Sequence, residues 1–239
     1  MNIWRWLKQR WNDGKTYRFP RHLLLKPPYE ITQPHSSQGK TVSSSTPRVP
    51  THDIHSIFTD RWSPRAFDGK MLEESAVLRL IEAARWAPSA YNIQPWQFCY
   101  SLRGDENWDA FLDILIPFNK SWAENSSALI FVISDTFTRE KDGSPKAISP
   151  SHSFDAGAAW AQLALQATFD GLHVHGMTGF DSAKAIKTLN VPEGYKVEAA
   201  IAIGTMGDAS SLPDGLRERE APSDRKPLSE IARHGPLSA

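Results

Sequence analysis

From residue 51 onward the sequence predicts a domain in which helices alternate with strands, and three observations carry that expectation. Leu72, Ala76, Val77, Leu80, Ile81 and Ala84 recur at the spacing of one helix face. Residues 128–134 read ALIFVIS, a short unbroken apolar run that suits a strand buried on both sides. Residues 153–170 form a long alanine-rich stretch closed by Gly171, the residue expected just past a helix C-terminus.

Taken in chain order, the first helix covers residues 72–86. Glu73 and Glu74 suit its positive N-terminal end, and Pro88 stops it. Residues 96–101 read as a strand. Residues 105–116 read as a second helix, ended by Pro117. The apolar strand 128–134 follows, then the alanine-rich helix. A short strand over 172–176, a helix over 182–189 and a strand over 197–203 complete the domain. From Pro213 the chain is polar, with Arg217, Arg219, Arg225 and Lys226, and reads as an extended arm that needs a surface to lie on, such as a second subunit.

Residues 1–50 form an extension. Trp4, Trp6 and Trp11 sit among Arg5, Lys8 and Arg10; prolines follow, and then the Ser/Thr-rich linker 36–46, which has too little apolar surface to pack. The segment lacks the apolar core of a secretory signal. Residues 3–11 could form a basic amphipathic helix touching a membrane surface, although packing on the protein itself or on a partner subunit is the simpler reading.

Composition narrows the classes of function. Lys plus Arg and Asp plus Glu number 27 each among 239 residues, so nothing global attracts nucleic acid or an acidic membrane, and any anion site must be made by a few placed arginines. The single cysteine, Cys99, rules out an internal disulfide and reads as inert core. No apolar run approaches a membrane span, and a cytoplasmic location is expected.

Three segments are candidates for chemistry. In Arg61-Trp62-Ser63-Pro64-Arg65, alternate residues of an extended chain would present two guanidiniums and a hydroxyl on one side, equipment for a phosphate or another anion. A solvated basic turn is the competing reading. The run from Pro88 to Trp96 joins a helix end to a strand start with small polar residues between prolines, and could place hydrogen-bonding groups against a planar ligand or simply connect two elements. In Gly176-Met177-Thr178-Gly179-Phe180-Asp181, two glycines permit close approach of backbone to a ligand. His173 and His175 alternate on a strand without an evident third ligand, so no metal is expected. His152, Ser153 and Asp155 read as helix-capping residues rather than as hydrolase machinery.

The order and content of these pieces resemble the FMN-dependent nitroreductase family over roughly residues 53–233. The resemblance rests on RWSPRAF (61–67), AARWAPSAYNIQPWQF (83–98), ALIFVIS, DAGAAWAQLALQATFDGL (155–172), GMTGFD (176–181), AIAIG (200–204) and RKPLSEI (225–231). It implies an α+β three-layer sandwich with a mixed, mainly antiparallel sheet covered by helices, in an intertwined homodimer with two equivalent flavin sites. It also implies roles for particular residues. Arg61 and Ser63 match positions holding the FMN phosphate and ribityl end, and Arg65 a basic position at the pyrimidine edge of the ring. Pro88, Ser89 and Asn92 match a loop reaching the flavin of the other subunit. Asn119 matches an asparagine bonding the pyrimidine. Thr178 and Gly179 match a pair whose backbone faces N5, and Arg225 with Lys226 matches the C-terminal phosphate ligand. Thr178 stands where the family often has glutamate, Trp122 where a lysine is frequent, and Ser223 where a second basic ligand occurs.

The implied activity is passage of hydride from NADH or NADPH through the flavin to a small oxidised acceptor such as a nitroaromatic, quinone or enone. In that chemistry no side chain serves as catalyst. A branch using reduced flavin for dehalogenation or flavin fragmentation, and a flavin-binding protein with little turnover, are the alternatives.

Overall fold

The computed structural model describes residues 48–237; the readings placed on residues 1–47 lie outside it. The helices are α1 (Ile57–Asp60), α2 (Glu74–Arg85), α3 (Trp108–Ile114), α4 (Pro117–Ala123), α5 (His152–Phe169), α6 (Ser182–Thr188), α7 (Asp214–Arg217) and α8 (Leu228–Ile231). The strands are β1 (Trp96–Leu102), β2 (Ala128–Asp135), β3 (Phe137–Arg139), β4 (Pro145–Ile148), β5 (His173–Met177) and β6 (Tyr195–Gly204).

The principal sheet has the order β1-β2-β6-β5, and each of its pairings is antiparallel. The class is α+β, as the sequence predicts, but no parallel pairing occurs among the described residues. Strand β2 lies second in the sheet and is buried along its whole length. Its side chains alternate between two cores. Ala128, Ile130 and Val132 pack with Val77, Leu80 and Ala84 of α2 and with Ala156, Ala159, Leu163 and Ala167 of α5. Leu129 and Phe131 face the opposite core, which contains Trp108, Phe111 and Leu112 of α3, Trp122 of α4 and Ala185 of α6. Helices therefore cover both faces of the sheet, and the unbroken apolar run follows from burial on both sides.

The end of α5 is a Schellman turn. Gly171 has φ +71, its N–H donates to Thr168 O, and Leu172 N–H reaches back to Ala167 O at 2.8 Å. At the other end of that helix the expectation of capping fails. Ser151 at the N-cap makes no side-chain cap bond. Asp155 instead accepts from Ala90 N–H at 3.2 Å and Ser151 Oγ at 3.0 Å, and Ser153 donates to Glu198 at 2.6 Å. These groups look outward from the helix to neighbouring segments, which leaves its first amides to other partners.

Two element boundaries also differ from the sequence reading. The helix expected over 105–116 is confined to α3, and Pro117 does not end it but starts α4 at the first helical position, where its missing N–H costs nothing. The C-terminal arm carries the single-turn helices α7 and α8. The β3–β4 hairpin, closed through Asp142 and Gly143 at φ +84, is absent from the sequence reading, because β4 is exposed along its length and has no buried apolar face to mark it. No helix among the described residues is long and apolar enough to cross a membrane.

Candidate functional site

After α1 the segment 61–67 runs extended and is fastened beside the end of β6. Phe67 bridges Met206, Asp68 N–H donates to Thr205 O at 3.1 Å, and Gly207 N–H donates to Ala66 O at 2.8 Å. The arm beyond α7 passes opposite. Alternate residues of the two segments, Arg61, Ser63 and Arg65 on one and Arg219, Ala221, Ser223 and Arg225 on the other, line a cavity of about 330 Å³ with Trp62 and His175. Arg61, Ser63 and Arg65, which alternation in the sequence sets on one side, thus meet Arg225, which the resemblance assigns to the phosphate. Arg219 and His175 join them although the resemblance assigns them nothing. Arg219 reaches the cavity from the turn after α7, and no local periodicity in the sequence signals it.

This lining holds four arginines and no carboxylate. Burial, then Arg225 and Arg48, depress the Arg61 pKa below the usual guanidinium range. Burial also lowers that of Arg65, where Glu220 pulls upward and Arg219 downward. Arg61 donates only to Ser63 Oγ, at 3.3 Å, among its side-chain bonds to described residues. Two part-buried guanidiniums, Arg61 and Arg65, repelled by the more exposed Arg225 and Arg219, form a site whose energy falls when an anion enters.

His175 closes the cavity on the sheet side. Its Nδ1 lies 2.9 Å from Pro64 O, which can only accept, so Nδ1 carries the proton and Nε2 is the acceptor nitrogen. Burial foremost, with Arg65 and Arg61, pushes its pKa down to about 4 against the upward pull of the Pro64 and Ser63 carbonyls, and the ring is neutral at pH 7. Its ring packs against the buried Trp122, with ring centroids 4.7 Å apart. On α4 with Trp122 sits Asn119, buried, whose Nδ2 donates to Gly179 O at 2.9 Å. A Cβ at Gly179 would stand 2.5 Å from that Nδ2, so glycine is what lets the turn after β5 and the asparagine meet. Asn119 thus meets the backbone of the Thr178–Gly179 turn at Gly179, and Trp122, on the same helix, touches His175 of the arginine cavity.

The other sequence-predicted positions lie elsewhere. Lys226 lines a second, more open groove of about 920 Å³ with Arg48, Val49, Phe58, Leu228 and Ile231, and Arg225 borders both spaces. Pro88, Ser89 and Asn92 line neither. They occupy an exposed loop where Tyr91, Asn92 and Gln94 all have positive φ and Tyr91 is 98% exposed. Ser89 Oγ accepts from Gln94 N–H at 3.0 Å, and Asp155 holds the loop from below. Cys99 is half-buried, and burial raises its thiol pKa, which keeps it protonated.

Comparison with known proteins places this architecture. The Nitroreductase family model matches residues 58–116 and 116–205. A crystal structure of an oxidoreductase containing FMN superposes with a TM-score of 0.78 at 46% identity, covering 82% of this chain and 99% of that one. A putative nitroreductase from Desulfovibrio desulfuricans, solved in complex with FMN, shares the fold at a TM-score of 0.58 and 23% identity, over 76% of this chain and 96% of that one. The CLA biosynthesis enone reductase of Lactiplantibacillus plantarum is 24% identical over 196 residues, 68% of this chain and 90% of its own. An uncharacterised 15.4 kDa protein of Mycolicibacterium smegmatis is 34% identical over 119 residues, 49% of this chain and 76% of that protein. With both the N-terminal and the C-terminal halves of its sheet domain matched by one family model, the chain belongs to the nitroreductase family, whose members are oxidoreductases.

Proposed function

We propose that the chain binds FMN with its phosphate in the arginine cavity and acts as an NAD(P)H-dependent oxidoreductase on a small acceptor of the nitroaromatic, quinone or enone type. The observation that carries the proposal is the convergence of Arg61, Arg65, Arg219 and Arg225 on one space without a carboxylate in its lining. A phosphate dianion is opposite in charge to Arg61, Arg219 and Arg225 of that set, and each charge-assisted hydrogen bond it accepts contributes about 1.5–3 kcal/mol. Solved relatives described as containing FMN and relatives named as enone reductase and NAD(P)H nitroreductase support the same reading.

In this reading Arg61, Arg219 and Arg225 hold the phosphate, and Ser63 adds a hydroxyl. Arg65 supplies positive charge where reduction places negative charge on the pyrimidine end of the flavin. Asn119 orients that ring, and Thr178 with Gly179 offers backbone to it. His175, neutral, adds no charge and keeps an acceptor free for a hydroxyl donor. Bound FMN would supply two-electron chemistry between the nicotinamide and the acceptor. Pro88, Ser89 and Asn92 would complete the site of a second subunit in a homodimer, which agrees with an exposed loop carrying Tyr91.

The direct test is anaerobic mixing of the FMN-loaded protein with NADH or NADPH, followed by each of the three acceptor classes. Bleaching of the flavin absorbance by at least one nucleotide, and its return on adding an acceptor, are expected. Failure of both nucleotides to bleach a bound flavin would exclude the donor half of the proposal.

A further inference from the structure

Glu220 sits between two residues that line the cavity, Arg219 and Ala221, without itself joining the lining; its own N–H donates to Arg217 O in the turn that follows α7. It is 9% exposed. One carboxylate oxygen, Oε1, accepts from the backbone N–H groups of Arg65 at 2.6 Å and Ala66 at 2.8 Å, across 155 and 154 residues of sequence. The other, Oε2, is buried with no hydrogen-bond partner among the described residues and stands 3.9 Å from Arg65 Nη1. The carboxylate therefore does two separable things. Through Oε1 it joins the C-terminal arm to the 61–67 segment, the two walls that bring the arginines together. Through Oε2 it places a negative charge beside the one arginine nearest to it and offsets part of that arginine's field.

We propose that Glu220 is the positioning residue of the anion cavity: it clamps the arm that carries Arg219 and Arg225 against the segment that carries Arg61 and Arg65, and it sets how much of the Arg65 charge reaches the bound cofactor. The inference rests on the FMN reading above. A buried carboxylate bonded to two amides loses little of its clamping geometry in Glu220→Gln, whose carbonyl still accepts, but loses all of its charge. Glu220→Ala loses both and leaves two amides without their acceptor.

The test uses the full chain stripped of flavin and reloaded, with affinities for FMN and riboflavin by fluorescence quenching and the reduction potential of the bound FMN by dye equilibration. Glu220→Ala is expected to weaken FMN by about tenfold or more and riboflavin far less, because the arginines meet the phosphate. Glu220→Gln is expected to restore FMN affinity to within about threefold of wild type and to raise the reduction potential, because Arg65 is no longer offset. If the alanine variant does not fold, Glu220→Asp, which keeps the charge but withdraws it by one methylene, should weaken FMN without raising the potential. Wild-type FMN affinity in both shortened variants would overturn the clamp. A potential in Glu220→Gln equal to that of wild type would overturn the charge role. If the wild type takes up no FMN, the functional reading fails by itself, and inorganic phosphate binding to the same variants decides the clamp: weaker in Glu220→Ala upholds it, equal overturns it.

Discussion

His175 shows how the cavity's chemistry becomes a measurable property of one residue. Its ring is neutral in the folded chain down to about pH 4, whereas in the unfolded chain it protonates near pH 6.5. Between those values the unfolded state binds the extra proton, so stability must fall as pH is lowered through that window and level off, for this group, below about 4. The shift corresponds to about 3 kcal/mol. Urea unfolding of the wild type should therefore lose stability between pH 7 and pH 4.5 in excess of the loss in His175→Gln, which keeps a donor for Pro64 O and cannot titrate. Parallel pH profiles would show that the imidazole is not held neutral. From the sequence, His175 could be read only as half of a strand pair with His173. What sets its character is the Pro64 carbonyl 111 residues away, together with Trp122 and two arginines, and no local pattern reports such neighbours.

Elements are legible in the sequence to the extent that one periodic face decides them. Strand β2 and helix α5 were recoverable nearly to the residue, because burial on both sheet faces and on one helix face writes directly into the apolar pattern. The α3–α4 break was not. A proline reads equally as the end of one helix or the first residue of the next; here Leu115 bridges Phe180 and Ile116 N–H donates to Gly179 O, which ends the first helix before Pro117 starts the second. The turn after β6 is a further case. Gly207 looks like an ordinary connector, yet a Cβ there would stand 2.6 Å from both the carbonyl carbon and the oxygen of Phe67, atoms of the very segment that carries Arg61 and Arg65. Backbone cannot swing aside as a side chain can, so Gly207→Ala should destabilise by about 1–3 kcal/mol and loosen FMN as well. Gly215→Ala, in α7 with nothing within 4 Å of the added methyl, should be neutral or slightly stabilising in the same denaturation series.

At the scale of the molecule, the surface is unevenly finished. Trp86 is 72% exposed and Phe154 81%, next to the Tyr91 loop, although most of the aromatic residues at helix and strand positions pack inward. Large apolar side chains exposed along α2, α5 and the loop between α2 and β1 form a patch of the kind that a second subunit would cover. The chain of 26.8 kDa is therefore expected to sediment as a dimer, and Phe154→Asp, which puts a charge into that surface, to shift it toward monomer with loss of flavin. A Phe154→Asp protein that stays dimeric would place the interface elsewhere. The site itself was half legible. RWSPRAF offers donors for an anion by alternation, whereas Arg225 in the polar arm was picked out by the family resemblance and by no local pattern, and the fold sets the two segments opposite each other. That convergence is the central claim, and its most direct measurement is a pair of equilibrium titrations of the flavin-free protein, with FMN and with riboflavin, for the wild type, Arg61→Ala and Arg225→Ala. The account predicts a wild type that prefers FMN strongly, variants that bind FMN roughly tenfold to a hundredfold more weakly, and riboflavin affinities that barely change, so that the gap closes. Equal affinity of the wild type for the two flavins, or variants that keep full preference for FMN, would contradict it.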